Sequence, residues 1–317
     1  MATIGAGHDA YLGYAWETSY GTAGSPINKV FGHGQTVTVA IRNNMEKIWA
    51  LGDRNIKRAA AKRFEGTASV DTVLANGWWL RGVLGSPATA SSGTVYTYLY
   101  KEADVIPSFT IENGVDLDAN VVRTLKGCVI SSATITAAVN DVVRARFECP
   151  YANEAVGTTT MTAVTEDNDP FTFAHGAITV GGSTIAEIQS FELTVNNNAE
   201  LITGIGSRVA TNKVAKNREY NLRATVAFKA QWEFLDRVLG GTTAPAVNPD
   251  PTAVVTLEFD NGETGASQRE LIFNLGSIYF DEHTLPQSPD DYLKEDVIMF
   301  AQHCGSATYK AGSTAAI

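Results

Sequence analysis

The chain has 317 residues, of which 44 % are hydrophobic and 18 % charged, and 34 acidic side chains against 24 basic ones leave a formal net charge of -10. That balance excludes a protein whose main task is gripping nucleic-acid phosphates, which calls for a basic surface. The absence of any run of about 18 apolar residues excludes a helical membrane span. The length suits about two domains, and lean charge with 28 glycines favours β-structure with tight turns.

The first residues, MATIGAGHDAYLGYAW, have no basic region and no long apolar run, so no signal peptide is expected. Residues 1–35 read as an N-terminal arm. Val37, Val39 and Ile41 then alternate with Thr36, Thr38 and Ala40, the period of a half-buried strand. Residues 43–63 are weakly patterned and carry Arg54, Lys57, Arg58, Lys62 and Arg63. A loop of about 20 residues is unusual in a compact domain and is often a functional or contact segment. Leu80, Val83 and Leu84 mark one face of a helix, stopped by Gly85. VYTYLY at 95–100 reads as a strand, ENG at 112–114 as a hairpin turn, and CVISSATITAAV at 128–139 as one long strand. Residues 152–182 read as a linker. The acidic EDNDP within it, at 166–170, lacks the spacing and glycine of a calcium loop and is taken as a turn.

The second half then repeats the first. At a constant offset of 154, Val37, Val39 and Ile41 fall on Phe191, Leu193 and Val195. Asn43, Asn44, Glu46, Ile48, Gly52 and Arg54 fall, without a gap, on the identical residues Asn197, Asn198, Glu200, Ile202, Gly206 and Arg208. FEGTASV at 64–70 lies on YNLRATV at 220–226, LRGVLGS at 80–86 on LDRVLGG at 235–241, and SFTIENG at 108–114 on TLEFDNG at 256–262. NDVVRARFEC at 140–149 lies on EDVIMFAQHC at 295–304, which would make Cys149 and Cys304 equivalent. A period near 154 is a domain length, far above that of a solenoid repeat. The expected fold is therefore mainly β: two tandem copies of an antiparallel β-sandwich or barrel, residues 36–151 and 183–317, each with one flanking helix. The second long segment, 197–219, carries Arg208, Lys213, Lys216 and Arg218, and both segments read as basic arms. Asp281, Glu282, Asp290, Asp291, Glu295 and Asp296 offer one acidic surface they could meet on a neighbour.

Nothing in the sequence points to catalysis. His8, His33, His175, His283 and His303 form no HxxxH or HExxH pair, GIGSR at 204–208 lacks the third glycine of a dinucleotide loop, and there is no P-loop or GxSxG. Cys128, Cys149 and Cys304 are too scattered for a disulfide framework or a CxxC metal site. Trp78, Trp79 and Trp232 sit beside the helices and read as core. No catalytic residue, metal site or cofactor is assigned.

WETSYGT at 16–22, the strand–loop–strand with NNN and GIGSR at 196–208, and the phrases SFTIENG and SFELTVNN resemble the tail tube proteins of long-tailed phages and related viruses. The resemblance covers most of the chain. It implies a non-enzymatic structural protein of the virion tail, assembled in the host cytoplasm. The inner sheets of its subunits join around a channel, and rings stack into a tube that conducts DNA without specific binding. The long loop after the first strand is the segment that contacts the adjacent ring, which would give Arg54, Lys57, Arg58, Lys62, Arg63, Arg208, Lys213, Lys216 and Arg218 that role here. Single-domain relatives form sixfold rings, so two fused copies imply a homotrimeric, pseudo-hexameric ring. The implied partners are further copies of the chain, a tape measure protein, a tail terminator and a distal tail protein, with no membrane. The family includes siphovirus-like tails and the inner tubes of contractile systems. A competing reading of the sequence is a β-sandwich binding module, receptor- or carbohydrate-binding, which would need an exposed aromatic platform.

Overall fold

The structure is a computed structural model that describes residues 7–91, 93, 95–115, 120–158, 166–185, 187–228, 233–240, 253–288 and 292–312. Its first half contains β1 (Ala10–Trp16), β2 (His33–Arg42), β3 (Met45–Ile48), β4 (Arg58–Ala61), β5 (Glu65–Val73), α1 (Leu80–Leu84), β6 (Thr89–Ser91), β7 (Thr97–Tyr100), β8 (Phe109–Val115), β9 (Val121–Cys128), β10 (Ser132–Ala138), β11 (Arg144–Tyr151) and β12 (Asn153–Gly157). Its second half contains β13 (Ala177–Val180), β14 (Ser183–Thr184), β15 (Ile188–Asn196), β16 (Glu200–Ile202), β17 (Asn212–Val214), β18 (Glu219–Ala227), α2 (Glu233–Leu239), β19 (Ala253–Asp260), β20 (Glu270–Thr284) and β21 (Lys294–Lys310).

The fold is mainly β and antiparallel, with two short α-helices and no closed barrel among the described residues. The largest sheet runs β14-β13-β19-β20-β21-β18-β15-β10-β11-β5-β2, with β7 and then β6 added along the far part of β21. A second sheet, β1-β8-β9-β12, packs over the first half. Within the large sheet the order β20-β21-β18-β15 is followed by β10-β11-β5-β2, and the second group repeats the first. β2 pairs β5 with Ile41 opposite Gly66, and β15 pairs β18 with Val195 opposite Tyr220, both at the offset of 154. The two groups meet where β10 pairs β15, from Ser132 opposite Asn196 to Ala138 opposite Ser190.

Strand alternation explains which way each side chain points. In β15, Phe191, Leu193 and Val195 are buried, and in β10 so are Ala133 and Ile135. The opposite face of the joined sheet carries Thr134, Thr136, Glu192, Thr194 and Arg146. Burial of the apolar set is the main favourable term in holding the layers together. Trp79 is wholly buried at its centre, within ring contact of Phe147 at 5.0 Å and of Phe273 at 6.4 Å, and its indole N–H donates to Asn76 O at 3.0 Å. Phe147 belongs to the first half and Phe273 to the second, so the buried cores of the two halves are contiguous.

Several local expectations change. Residues 10–16, expected in an arm, form β1, which pairs β8 and places Leu12, Tyr14 and Ala15 in the core. ENG at 112–114 lies inside β8, and a side chain at Gly114 would collide with the Tyr11 ring. Its repeat DNG at 260–262 instead opens the turn between β19 and β20, with Gly262 at φ +74°. Residues 128–139 break at 129–131 into β9 and β10, whose partners lie in different sheets. In the second half the corresponding stretch is the single long β20. Strand pairing also resets one alignment. Tyr151 faces Gly66 and Ala301 faces Tyr220, so β11 maps onto β21 at an offset of 150, and Cys149 is matched by Met299, not by Cys304. Trp232 and the acids Asp290 and Asp291 lie outside the described residues.

Candidate assembly surfaces

The two basic segments are hairpins. β3 and β4 pair from Met45 opposite Ala61 to Ile48 opposite Arg58, and β16 and β17 pair from Glu200 opposite Val214 to Ile202 opposite Asn212. Their construction repeats residue for residue. Asn44 and Asn198 both adopt φ +47°, a left-handed conformation that asparagine tolerates better than most residues. The Asn44 amide donates to Arg63 O at 3.0 Å, and that of Asn198 to Asn217 O at 2.9 Å, closing each base. Glu46 pairs Lys62 at 2.6 Å, and Glu200 pairs Lys216 at 2.5 Å. The Lys216 hydrogen bond and charge hold the Glu200 carboxyl below its ordinary pKa. Each tip turns on a glycine, Gly52 at φ +82° and Gly206 at φ +94°. Beside them Leu51 and Ile205 are wholly exposed.

The surroundings of the two hairpins differ. All residues from 40 to 63 are exposed, including Met45, Ile48, Trp49 and Ile56. The second hairpin instead leans on the first half. Leu201 and Ala210 pack with Val129 and Ala152, and Lys213 donates to Ile106 O while lying 5.9 Å from the Tyr20 ring. Burial lowers the Lys213 ammonium to about 8 from its ordinary 10.5. Arg208 reaches the base of the first hairpin, donating from Nε to Lys62 O at 2.8 Å and from its guanidinium to Asn43 Oδ1 at 2.9 Å. Arg218 turns inward to Asn197 Oδ1 at 2.8 Å and to the carbonyls of Leu84 and Ala103.

The nine basic residues singled out in the sequence therefore divide. Arg208, Lys213 and Arg218 make contacts inside the chain, and Lys62, Arg63 and Lys216 pair with Glu46, Glu65 and Glu200. Arg54, Lys57 and Arg58 are exposed on the first hairpin without an ion pair among the described residues. The acidic surface is also smaller than its sequence suggested. Glu295 is buried and holds His283 at 2.8 Å, Asp296 accepts from Thr225 at 2.6 Å, and Asp281 and Glu282 are the two described acids of the set left exposed.

The ends of the joined sheet were missed by sequence reasoning. β2 ends the sheet, with no strand beyond it among the described residues. Val37 and Val39 are half-buried and Ile41 is 46 % exposed, whereas their repeats Phe191, Leu193 and Val195 are at most 3 % exposed. Covering that edge would contribute on the order of 1 kcal/mol per aliphatic side chain. At the other end β19 leaves β20 at Ile278, so residues 279–284 pair only with β21 among the described residues. The constant offset of 154 was the signal that could have found this: a strand with a buried twin is expected to want the same neighbour.

The polar face of the sheet has few unpaired charges. Arg146 lies 2.8 Å from Glu148 and 3.8 Å from Asp71, and Arg144 is 3.2 Å from Asp141. Cys128, Cys149 and Cys304 are buried, and burial pushes all three thiols up, Cys304 to about 12. Among the described residues no group of His, Cys, Asp or Glu could hold a metal ion, and no helix is long and apolar enough to cross a membrane.

An antiparallel sheet with edges left unpaired among the described residues, carrying a repeated hairpin whose tips are exposed, is suited to association with further strands. The model of the phage tail tube protein family matches residues 7–297, nearly the whole chain, and the chain belongs to that family. It is thus a structural tail tube protein, a component of the virion tail that assembles with itself and with other tail proteins. Family membership points away from enzymatic activity. No curated protein matches the chain.

Proposed function

We propose that three copies of the chain form a ring, and that rings stack into the tube conducting DNA from capsid to host in a siphovirus-like tail. The observation that carries this reading is the β10–β15 joint, where one repeat extends the sheet of the other while β2 and β20 keep the corresponding edges open. Repeating a head-to-tail joint either closes a ring or propagates an open filament. Two repeats, 36–151 and 183–317, form each chain. The segments before them, 1–35 and 152–182, contribute the lead strands β1 and β13. Eight strands per chain run from β20 to β2, so three chains would supply a barrel of twenty-four.

On this reading the polar face lines the lumen. Threonines and mutually neutralised charges offer DNA no continuous basic track, and the net charge of -10 opposes adhesion. The hairpins project between rings. Their tips, Leu51 and Ile205, meet the next ring, with Arg54, Lys57, Arg58, Lys62 and Arg63 beside the first and Arg208, Lys213, Lys216 and Arg218 bracing the second. The tape measure protein, tail terminator and distal tail protein are the partners along and at the ends of the tube.

Concentrated or seeded protein is expected to form hollow tubes in negative stain, with a ring mass of three chains. A monomer that never polymerises, even on a tail initiator complex, would overturn the reading. Deleting residues 45–62 should leave soluble protein that makes no tubes, and normal tubes from that deletion would remove the first hairpin from the inter-ring contact.

A further inference from the structure

We infer that β2 of one chain pairs antiparallel with residues 282–288 of a second copy, in a fixed register: Arg42 opposite Glu282, Ile41 opposite His283, Ala40 opposite Thr284 and Val39 opposite Leu285. This inference rests on the ring reading above and gives the joint its partner surface.

The register follows from the joint already present inside the chain. There β15 lies on β10 with Asn196 opposite Ser132, Val195 opposite Ala133, Thr194 opposite Thr134 and Leu193 opposite Ile135. β2 is the counterpart of β15 at the offset of 154, as their pairing with β5 and β18 shows. The counterpart of β10 is found through its hairpin partner. Ala133 faces Phe147 and His283 faces Val297, while Ser132 faces Glu148 and Glu282 faces Ile298, all at the offset of 150. Substituting the counterparts into the internal joint gives the register stated, with no adjustable choice.

Three independent features agree with it. First, the charges match: Arg42 and Glu282, both exposed, replace the neutral Asn196 and Ser132 and face each other across the joint. Opposite charges directly across an antiparallel pair favour it, and like charges oppose it. Second, the apolar side chains match: Val39 meets Leu285 where Leu193 meets the buried Ile135. Third, the proline falls where it does no harm. In the internal joint Asn197 N donates to Ser131 O and Val139 N to Gln189 O. Backbone groups alternate sides along a strand, so residues 133, 135 and 137 face β15 and Thr136 faces away. Pro286 is the counterpart of Thr136, and its missing N–H lies on the side away from the second copy. Residues 283, 285 and 287 present their backbone groups to it.

Cysteine cross-linking tests the register. Ala40 and Thr284 are the counterparts of Thr194 and Thr134, whose hydroxyls lie 3.1 Å apart, a proximity that suits a disulfide. The native cysteines are buried and give little background. Tubes of A40C/T284C, mildly oxidised, are expected to give disulfide-linked multimers at least fivefold more completely than the slipped pair A40C/E282C. Tubes that form normally but cross-link equally well or better through the slipped pair would overturn the register and leave the ring reading standing. Wild-type protein that forms no tubes would instead overturn the ring reading. Should the cysteines themselves block assembly, a charge exchange decides: R42E is expected to slow tube growth at least tenfold and R42E/E282R to restore it. Failure of the double variant to regain growth would overturn the register.

Discussion

Residues 197–218 and residues 43–64 fold into the same hairpin, with the same left-handed asparagine, the same ion pair and the same glycine tip. One is braced against the body of the chain, and the other is exposed from 43 to 63 and touched only near its base, by Arg208 among the described residues. The strands that lead into them differ in the same way, β15 paired on both sides and β2 on one. Identical local structure with unequal surroundings means that the hairpin does not need its bracing to fold. On the proposed ring, this bracing is an assembly contact that falls within the chain for one repeat and is supplied by a second copy for the other.

Proline substitution should separate the two repeats most sharply. Leu193→Pro removes an N–H that faces β10 in mid-sheet, where proline is essentially not tolerated, and soluble folded protein should be lost. Val39→Pro, the same change at the open edge, should leave circular dichroism and solubility intact while abolishing tubes. Equal destabilisation of both variants would break the comparison. The paired asparagines come next. Asn197 is buried and its amide donates to Val83 O and Ile130 O, so Asn197→Ala should cost about 2–3 kcal/mol in urea unfolding. Exposed Asn43→Ala should cost less than about 0.5 kcal/mol before assembly. A smaller effect is expected at the tips. Leu51→Asp and Ile205→Asp should both leave the unassembled protein's stability within about 0.5 kcal/mol, because both side chains are wholly exposed. Both should slow tube growth in light scattering, and a stability loss confined to Ile205→Asp would mean that its tip is braced within the chain.

The smallest effect is one of pH. Lys213 is held near 8 against an ordinary 10.5, so between these values the unfolded chain carries a proton that the folded chain lacks. Stability therefore rises with pH across that window, and the cost of burying the charge is fully present below it. The melting temperature of the wild type minus that of Lys213→Met should climb from pH 8 to pH 10.5, by a few °C at most because the side chain is only partly buried. The first hairpin has Ala59 at this position and contributes no such term.

How much of this was legible in the sequence depended on what each residue was needed for. The repeat was legible because the hairpin requires particular residues: Asn44 and Gly52 for backbone conformations, Glu46 for its ion pair. The hairpins themselves were not, since MEKI and RAAA are exposed on both faces and show no alternation. β1 escaped for the opposite reason. YLGYAW is covered on both faces, so its small and large residues do not alternate with polar ones. The repeat of β11 in β21 lies five residues from where NDVV and EDVI would align it, because pairing with β18 sets the register through side chains far away in sequence. The open edges were invisible to any reading of single residues, because Val37, Val39 and Ile41 look like an ordinary strand until their buried twins are compared with them.

On the proposed ring, the joint between chains copies the joint within the chain. Electron cryomicroscopy of assembled tubes, at a resolution that traces strands, tests it most directly. The expected result is three chains per ring and Val39 of one chain beside Leu285 of the next, at the spacing seen between Leu193 and Ile135. A ring with any other chain count, or with β2 left facing solvent, would contradict it.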